Sequence, residues 1–144
     1  MTMFESGPVL SDVALDLTVE CIDDHGIHHR LDAVLDYRRL DPFAVSMTFI
    51  TGAGGLVWTF GRDLLSGGIV SPMGEGDVHV APAIGLSGTA MVSIELTSPD
   101  GHLTLQARTS DVSAFVSRSF AVVPEGTESD HVDIDSLISQ VLAA

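Results

Sequence analysis

The residues best placed to do chemistry stand together in Asp23-Asp24-His25-Gly26-Ile27-His28-His29. Imidazole nitrogens and carboxylate oxygens both offer lone pairs to a divalent ion, so His25–His29 is a candidate metal-binding turn. Its spacing matches no established ligand pattern such as HExxH, which stacks two histidines on one helical face. The competing reading is a polar turn that leads into a strand. His79, His102 and His131 occur singly and read as solvated strand or loop positions.

Nucleophilic and phosphate chemistry find weaker supports. Gly85-Leu86-Ser87-Gly88-Thr89 follows a nucleophile elbow until Thr89, where a glycine is needed, and no strand-to-helix turn surrounds it. Thr51-Gly52-Ala53-Gly54-Gly55 is rich enough in glycine to cradle a phosphate. It joins two strand patterns instead of opening a helix, and it lacks the lysine of a P-loop. Cys21 continues the apolar face of an alternating segment, as a small buried filler does. No acid, base and nucleophile converge, so the sequence points to no catalytic residue, no cofactor and no enzyme.

Binding is better supplied. Ile134, Leu137, Ile138, Val141 and Leu142 recur at helical spacing, and Asp133 and Asp135 stand where a helix start favours negative charge. Such a stripe closes its own core or docks in a partner's groove, which makes these five residues the candidate interaction surface. Asp16, Glu20, Asp32, Asp36 and Glu95 point away from the apolar face of their segments. Acidic sheet faces of this kind are solvated surfaces that can also steer a basic partner.

The elements that must position these groups are mostly strands. Val13 to Cys21 alternates strictly, with Asp16, Thr18 and Glu20 on the wet side. Leu31 to Tyr37 alternates again, then Val45, Met47 and Phe49, then Leu56, Trp58 and Phe60, whose apolar side should be buried. The period breaks at Gly61–Gly68, a short helix that Gly67 and Gly68 are expected to end through the left-handed conformation. Ile69–Ser71 and Asp77–Ala81 are expected to form a hairpin around residues 72–76. Ala90 to Leu96 and Leu103 to Ala107 follow, joined by the turn Ser98-Pro99-Asp100-Gly101. Val112, Phe115, Val116 and Phe120 mark a longer helix, with Thr109 or Ser110 as its cap, and Pro124-Glu125-Gly126 ends it. The plan is four strands and a helix, twice, then a terminal helix. The fold class is α+β with antiparallel sheets that have one wet face.

Composition bounds the rest. With 144 residues the chain is expected to be one domain over 13–144, preceded by a flexible tail over 1–12. Twenty acidic residues face six arginines and no lysine, for a net charge of −14. Nucleic acid and anionic membrane would both be repelled. One cysteine permits no internal disulfide, and neither a signal peptide nor an apolar span is evident, so the expected compartment is the cytoplasm.

Several strings then carry a resemblance. They are Leu40-Asp41-Pro42-Phe43-Ala44-Val45, Val57-Trp58-Thr59-Phe60-Gly61-Arg62-Asp63-Leu64-Leu65, and Gly74-Glu75-Gly76-Asp77-Val78-His79-Val80. Leu96-Thr97-Ser98-Pro99-Asp100-Gly101, Val123-Pro124-Glu125-Gly126-Thr127-Glu128 and Asp133-Ile134-Asp135 follow in order. Together they resemble the SsgA-like family of actinomycete regulators of sporulation-specific cell division, from about Val13 to the C-terminus. Ala81 before Pro82 and Ser119 after Arg118 depart from the family's pattern.

The resemblance implies a cytoplasmic protein without enzymatic activity that acts at division septa. It implies binding to the tubulin-like division protein or to a sister SsgA-like protein, and assembly as a homo-oligomer, a trimer. It also implies two curved antiparallel β-sheets with two to three helices, like the whirly-type single-stranded nucleic-acid binders. That fold makes single-stranded nucleic-acid binding an alternative function, which the charge of −14 opposes.

Overall fold

The computed structural model describes residues 11–143. Eight strands run as β1 (Val13–Ile22), β2 (His28–Tyr37), β3 (Ala44–Thr51), β4 (Gly54–Gly61), β5 (Met73–Glu75), β6 (Val78–Ile84), β7 (Ala90–Ser98) and β8 (Gly101–Arg108). Helix α1 (Arg62–Gly68) follows β4, α2 (Thr109–Val122) follows β8, and a 3-10 turn (Glu128–His131) leads into α3 (Ile134–Ala143). The alternation in the sequence is the cause. Val13, Leu17, Val19, Ala33, Leu35 and Tyr37 are buried while Asp16, Thr18 and Asp32 face water.

All pairings are antiparallel, and the sheet order is β4-β3-β2-β1-β8-β7-β6-β5. The expected pair of four-stranded layers is present as two halves of one continuous, curled sheet. They are hydrogen-bonded at a short seam, where Glu20, Cys21 and Ile22 of β1 meet Gln106, Leu105 and Thr104 of β8. Helices α1 and α2 lie against the inner face. Phe115, Val112 and Val116 of α2 and Leu64 and Leu65 of α1 join Val19, Leu35, Val80, Val92 and Leu105 in one core. Burying a side chain such as Phe115 contributes about 1.5–3 kcal/mol by removing its apolar surface from water.

Four local expectations are corrected. Gly67 and Gly68 are helical and do not adopt a positive φ. Gly68 has a packing role instead: a Cβ there would meet Val80 Cγ1 at 2.2 Å, so its missing side chain lets α1 lie directly on β6. The hairpin is tighter than expected. Residues 69–71 are turn, the strand is Met73–Glu75, and Gly76 at φ 59° turns the chain into β6. Thr109 and Ser110 do not cap α2; they lie inside it, and its N-terminus has no side-chain cap. On β4, Phe60 is buried and Trp58 half-buried against the core, but Leu56 is 56% exposed. Leu56 pairs with Phe49 near the hairpin tip of an edge strand, where no further element among the described residues covers it.

Of the expected tail, residues 1–10 lie outside the described residues. Asp12 is tied down: its N–H donates to Tyr37 O at 2.9 Å, and its carboxylate accepts from Arg39 N at 2.7 Å.

Candidate protein-docking surface

The C-terminal elements are held by one buried cation. Arg62 opens α1 and is 1% exposed. Its Nη2 donates to Glu128 Oε2 at 2.8 Å, and its Nη1 donates to the carbonyls of Ser119 (3.1 Å) and Val123 (2.8 Å). Those carbonyls lie at the end of α2, where the helix dipole favours positive charge. The guanidinium is stacked between the rings of Phe120, 4.2 Å away, and Tyr37, 4.8 Å away. Tyr37 is itself oriented by donating its hydroxyl to Pro42 O at 2.9 Å.

Glu128 completes the latch. Its other oxygen accepts from Gly126 N at 2.8 Å, which shapes the loop into the 3-10 turn. Its own backbone N–H, followed by the Arg62 side chain, holds the carboxyl below its usual range. Arg62 Nε is the single fully buried side-chain polar atom without a partner among the described residues. A planar fork committed to three acceptors at one end is an arrangement that lysine could not reproduce. The latch thus fixes where the chain leaves α2, and so where α3 begins.

Asp133 immediately precedes α3, and its carbonyl accepts from Leu137 N at 3.0 Å. The stripe read from the sequence is not used by the protein's own core. Ile134, Leu137, Ile138, Val141 and Leu142 are 49–80% exposed. Leu137 and Gln140 border a groove of about 350 Å³ with Leu40, His131, Val132 and Asp133. Leu40 is itself exposed, and it extends the apolar surface from the helix onto the loop between β2 and β3. Chemically the surface offers apolar anchors with an acidic border of Asp130, Asp133 and Asp135. Anchors of this type carry binding energy, while border charges tune encounter.

The other candidate residues are spent locally. Asp23 Oδ1 accepts from the N–H groups of His25 (2.8 Å) and Ile27 (3.0 Å), and Gly26 at φ 77° closes the turn. His29 pairs with Asp23 Oδ2 at 2.9 Å, whereas His28 pairs with Glu20 at 2.9 Å. His28 and His29 are therefore divided between two carboxylates, and no group of three metal-capable side chains forms among the described residues. The hydrogen bond from His29 is the main cause that lowers the Asp23 carboxyl.

Gly85–Thr89 is the β6–β7 turn, closed by Gly85 N donating to Thr89 O at 2.8 Å, with Ser87 bonded to Thr89. Thr51–Gly55 forms the β3–β4 hairpin turn. Cys21 is half-buried on β1, and burial pushes its thiol up, away from nucleophilic character. His102 pairs with Glu95 across β7 and β8 at 2.9 Å. No described helix is long and apolar enough to cross a membrane.

Sequence reasoning missed the latch. Arg62 and Glu128 lie 66 positions apart, and no periodicity links them. The available signal was an arginine at the start of a helix whose face is otherwise Leu64 and Leu65.

Residues 31–128 match the family model described as the Streptomyces sporulation and cell division protein SsgA. The sporulation-specific cell division protein SsgB of Streptomyces coelicolor is 45% identical over 112 residues, 77% of this chain and 81% of the relative. SsgB of Frankia casuarinae is 38% identical over 131 residues, 90% of this chain and 91% of the relative. The crystal structure of an SsgA-like sporulation-specific cell division protein from Thermobifida fusca superposes with a TM-score of 0.80. It is 34% identical, and the match covers 94% of this chain and 98% of that one. The family-model match, the identity to these relatives along most of the chain and the shared fold therefore place this chain in the SsgA family of sporulation and cell division proteins.

Proposed function

We propose that this chain is a non-catalytic adaptor in sporulation-specific cell division, which helps to place septa by holding partner proteins. Its relatives are named for sporulation-specific cell division, which supports the process. The observation that carries the adaptor role is the α3 stripe, apolar along its length and left open by the described chain. The partner is the tubulin-like division protein, or a sister SsgA-like protein that binds it in turn. The adaptor acts in the cytoplasm at division septa, as a homo-oligomer of three copies, and needs no cofactor.

The test uses the purified full-length chain against each candidate partner, with Leu137→Asp and Val141→Asp as variants. Both side chains are exposed, so both variants are expected to fold, and a thermal melt checks this. Losing a central apolar anchor costs about 2 kcal/mol or more, so affinity for the true partner should fall at least ~30-fold. A folded variant that binds both partners like wild type removes α3 from the interface. Wild-type protein that binds neither partner removes the adaptor assignment.

A further inference from the structure

The two halves of the sheet part almost as soon as they meet. Strand β1 has ten residues and β8 has eight, yet they pair only from Glu20↔Gln106 to Ile22↔Thr104. Extended by two residues, that register would set Thr18 against Arg108. A cleft of about 370 Å³ opens there instead. It is bordered by Asp16, Thr18 and Glu20 of β1, Arg30 of β2, Arg108 of β8 and Asp111 of α2.

Every second residue of β1 turns its backbone toward this side. Asp23 N donates to Ile27 O at 3.0 Å, in register with the β1–β2 ladder. Odd residues of β1 therefore direct N–H and C=O to β2, and even residues direct theirs away from it. The even series is used at both ends: Glu20 and Ile22 face β8, and Ala14 O accepts from Arg118 Nη1 of α2 at 3.4 Å. Between them, Asp16 and Thr18 point their N–H and C=O groups into the cleft, where no described strand pairs with them. Main-chain groups of this kind are what an extended segment uses when it adds to a strand. From Ala14 to Glu20 the window is about 20 Å long, which admits only a few residues in main-chain contact.

Charge selects among extended segments. Arg30 and Arg108 form no ion pair with a described carboxylate, although Asp16, Glu20 and Asp111 border the same cleft. Glu20 is bonded to His28 instead, at 2.9 Å. The two guanidinium groups are therefore donors for a carboxylate that an incoming segment carries. A free anion would meet three carboxylates with no main-chain bonds to offset the repulsion, and a nucleic-acid strand would meet them at every phosphate. A peptide brings the main-chain bonds with it.

We propose that this cleft binds a short extended segment of a partner protein, hydrogen-bonded along Asp16 and Thr18 and presenting an acidic side chain to Arg30 and Arg108. It shares no bordering residue with the groove beside α3, so it is a second docking surface and does not depend on the first.

The test adds a capped peptide of alternating threonine and valine with one central glutamate to the full-length protein, and follows backbone amide exchange by NMR. Without peptide, the Asp16 and Thr18 amides should exchange faster than those of Leu17 and Val19, which donate to β2. The peptide should protect Asp16 and Thr18 saturably. Its glutamine version should bind about 5-fold more weakly, the scale of exposed ion pairs. Arg30→Gln with Arg108→Gln changes two exposed side chains and should erase that preference while Thr18 is still protected. Either single variant, expected to halve the preference or more, serves should the pair fail to fold. Asp16 and Thr18 amides that are already slow without peptide would mean that the window is filled, and they overturn the proposal. So does a peptide that protects neither amide, protection that falls on α3 instead, or a glutamate preference that survives the arginine variants. A lysine version that binds best would mean that the carboxylates govern the cleft, and the acidic segment is then the wrong occupant.

Discussion

Replacing Arg62 with methionine tests whether the buried latch holds the C-terminal elements on the sheet. Methionine keeps most of the stem volume between Phe120 and Tyr37, so the cavity contribution is small. What is lost is the donor set to Glu128, Ser119 O and Val123 O. Removing one partner of a buried ion pair typically costs ~3–5 kcal/mol, because the other is left without compensation. Glu128 keeps the N–H of Gly126, and the carboxylate is not wholly stranded. The expected loss for Arg62→Met is therefore at the lower end, about 3 kcal/mol, or roughly 10 °C in Tm.

Urea unfolding followed by circular dichroism measures that loss, with an unchanged slope to show that the unfolding reaction is the same. Arg62→Lys should fall between, since it keeps charge but cannot reach three acceptors. The double variant Arg62→Met with Glu128→Leu should recover much of the loss, because it removes both charges together. A cost below ~1 kcal/mol for Arg62→Met would refute the reasoning. It would mean that burying a guanidinium with an unsatisfied Nε already cancels what its three bonds return.

Three further outcomes follow from particular groups. Gly68→Ala gains up to ~1 kcal/mol of helix propensity but drives a Cβ into Val80, including its backbone carbon at 3.0 Å. Overpacking costs ~1–3 kcal/mol, so a net destabilisation is expected in the same urea assay, and a stabilised variant would contradict the close approach. Glu128 and Asp23 are held below the usual carboxylate range in the fold. Their stabilisation is complete above the unfolded carboxylate values and drains as pH falls through the folded ones, below about pH 4. Burial raises Asp36, so its neutral-pH penalty is relieved on acidification, opposite in sign, and Glu128→Gln should flatten the net fall. Single-stranded DNA and RNA should bind more weakly than about 100 µM at physiological salt, despite the curled sheet. A tighter, salt-sensitive affinity by fluorescence anisotropy would make the sheet a nucleic-acid surface after all.

The sequence alone determined the succession of strands and helices along the chain, the class and the terminal stripe, since each depends on a local period. Val13–Cys21 and Leu31–Tyr37 alternate because one face meets the core and the other meets water, and that constraint is written every second residue. The family was likewise readable, because ordered strings such as Gly61-Arg62-Asp63 and Glu125-Gly126-Thr127-Glu128 can be read without any view of their contacts. Where a period met an edge, the local rule failed. Leu56 has the pattern of a buried residue but lies at the open end of β4, and only the pairing order reveals that no described element covers it.

Glycines misled for the same reason. Gly68 next to Gly67 looks like a helix stop, yet its use is the space it leaves for Val80 on another element. The fate of Ile134–Leu142 was also beyond the sequence, which shows that a helix has an apolar face but not whether its own fold has room for that face. Only the tertiary structure decided this. Arg62 reaches across 66 positions to Glu128, the core closes without α3, and the stripe remains outside because the sheet's inner face is already filled by α1 and α2.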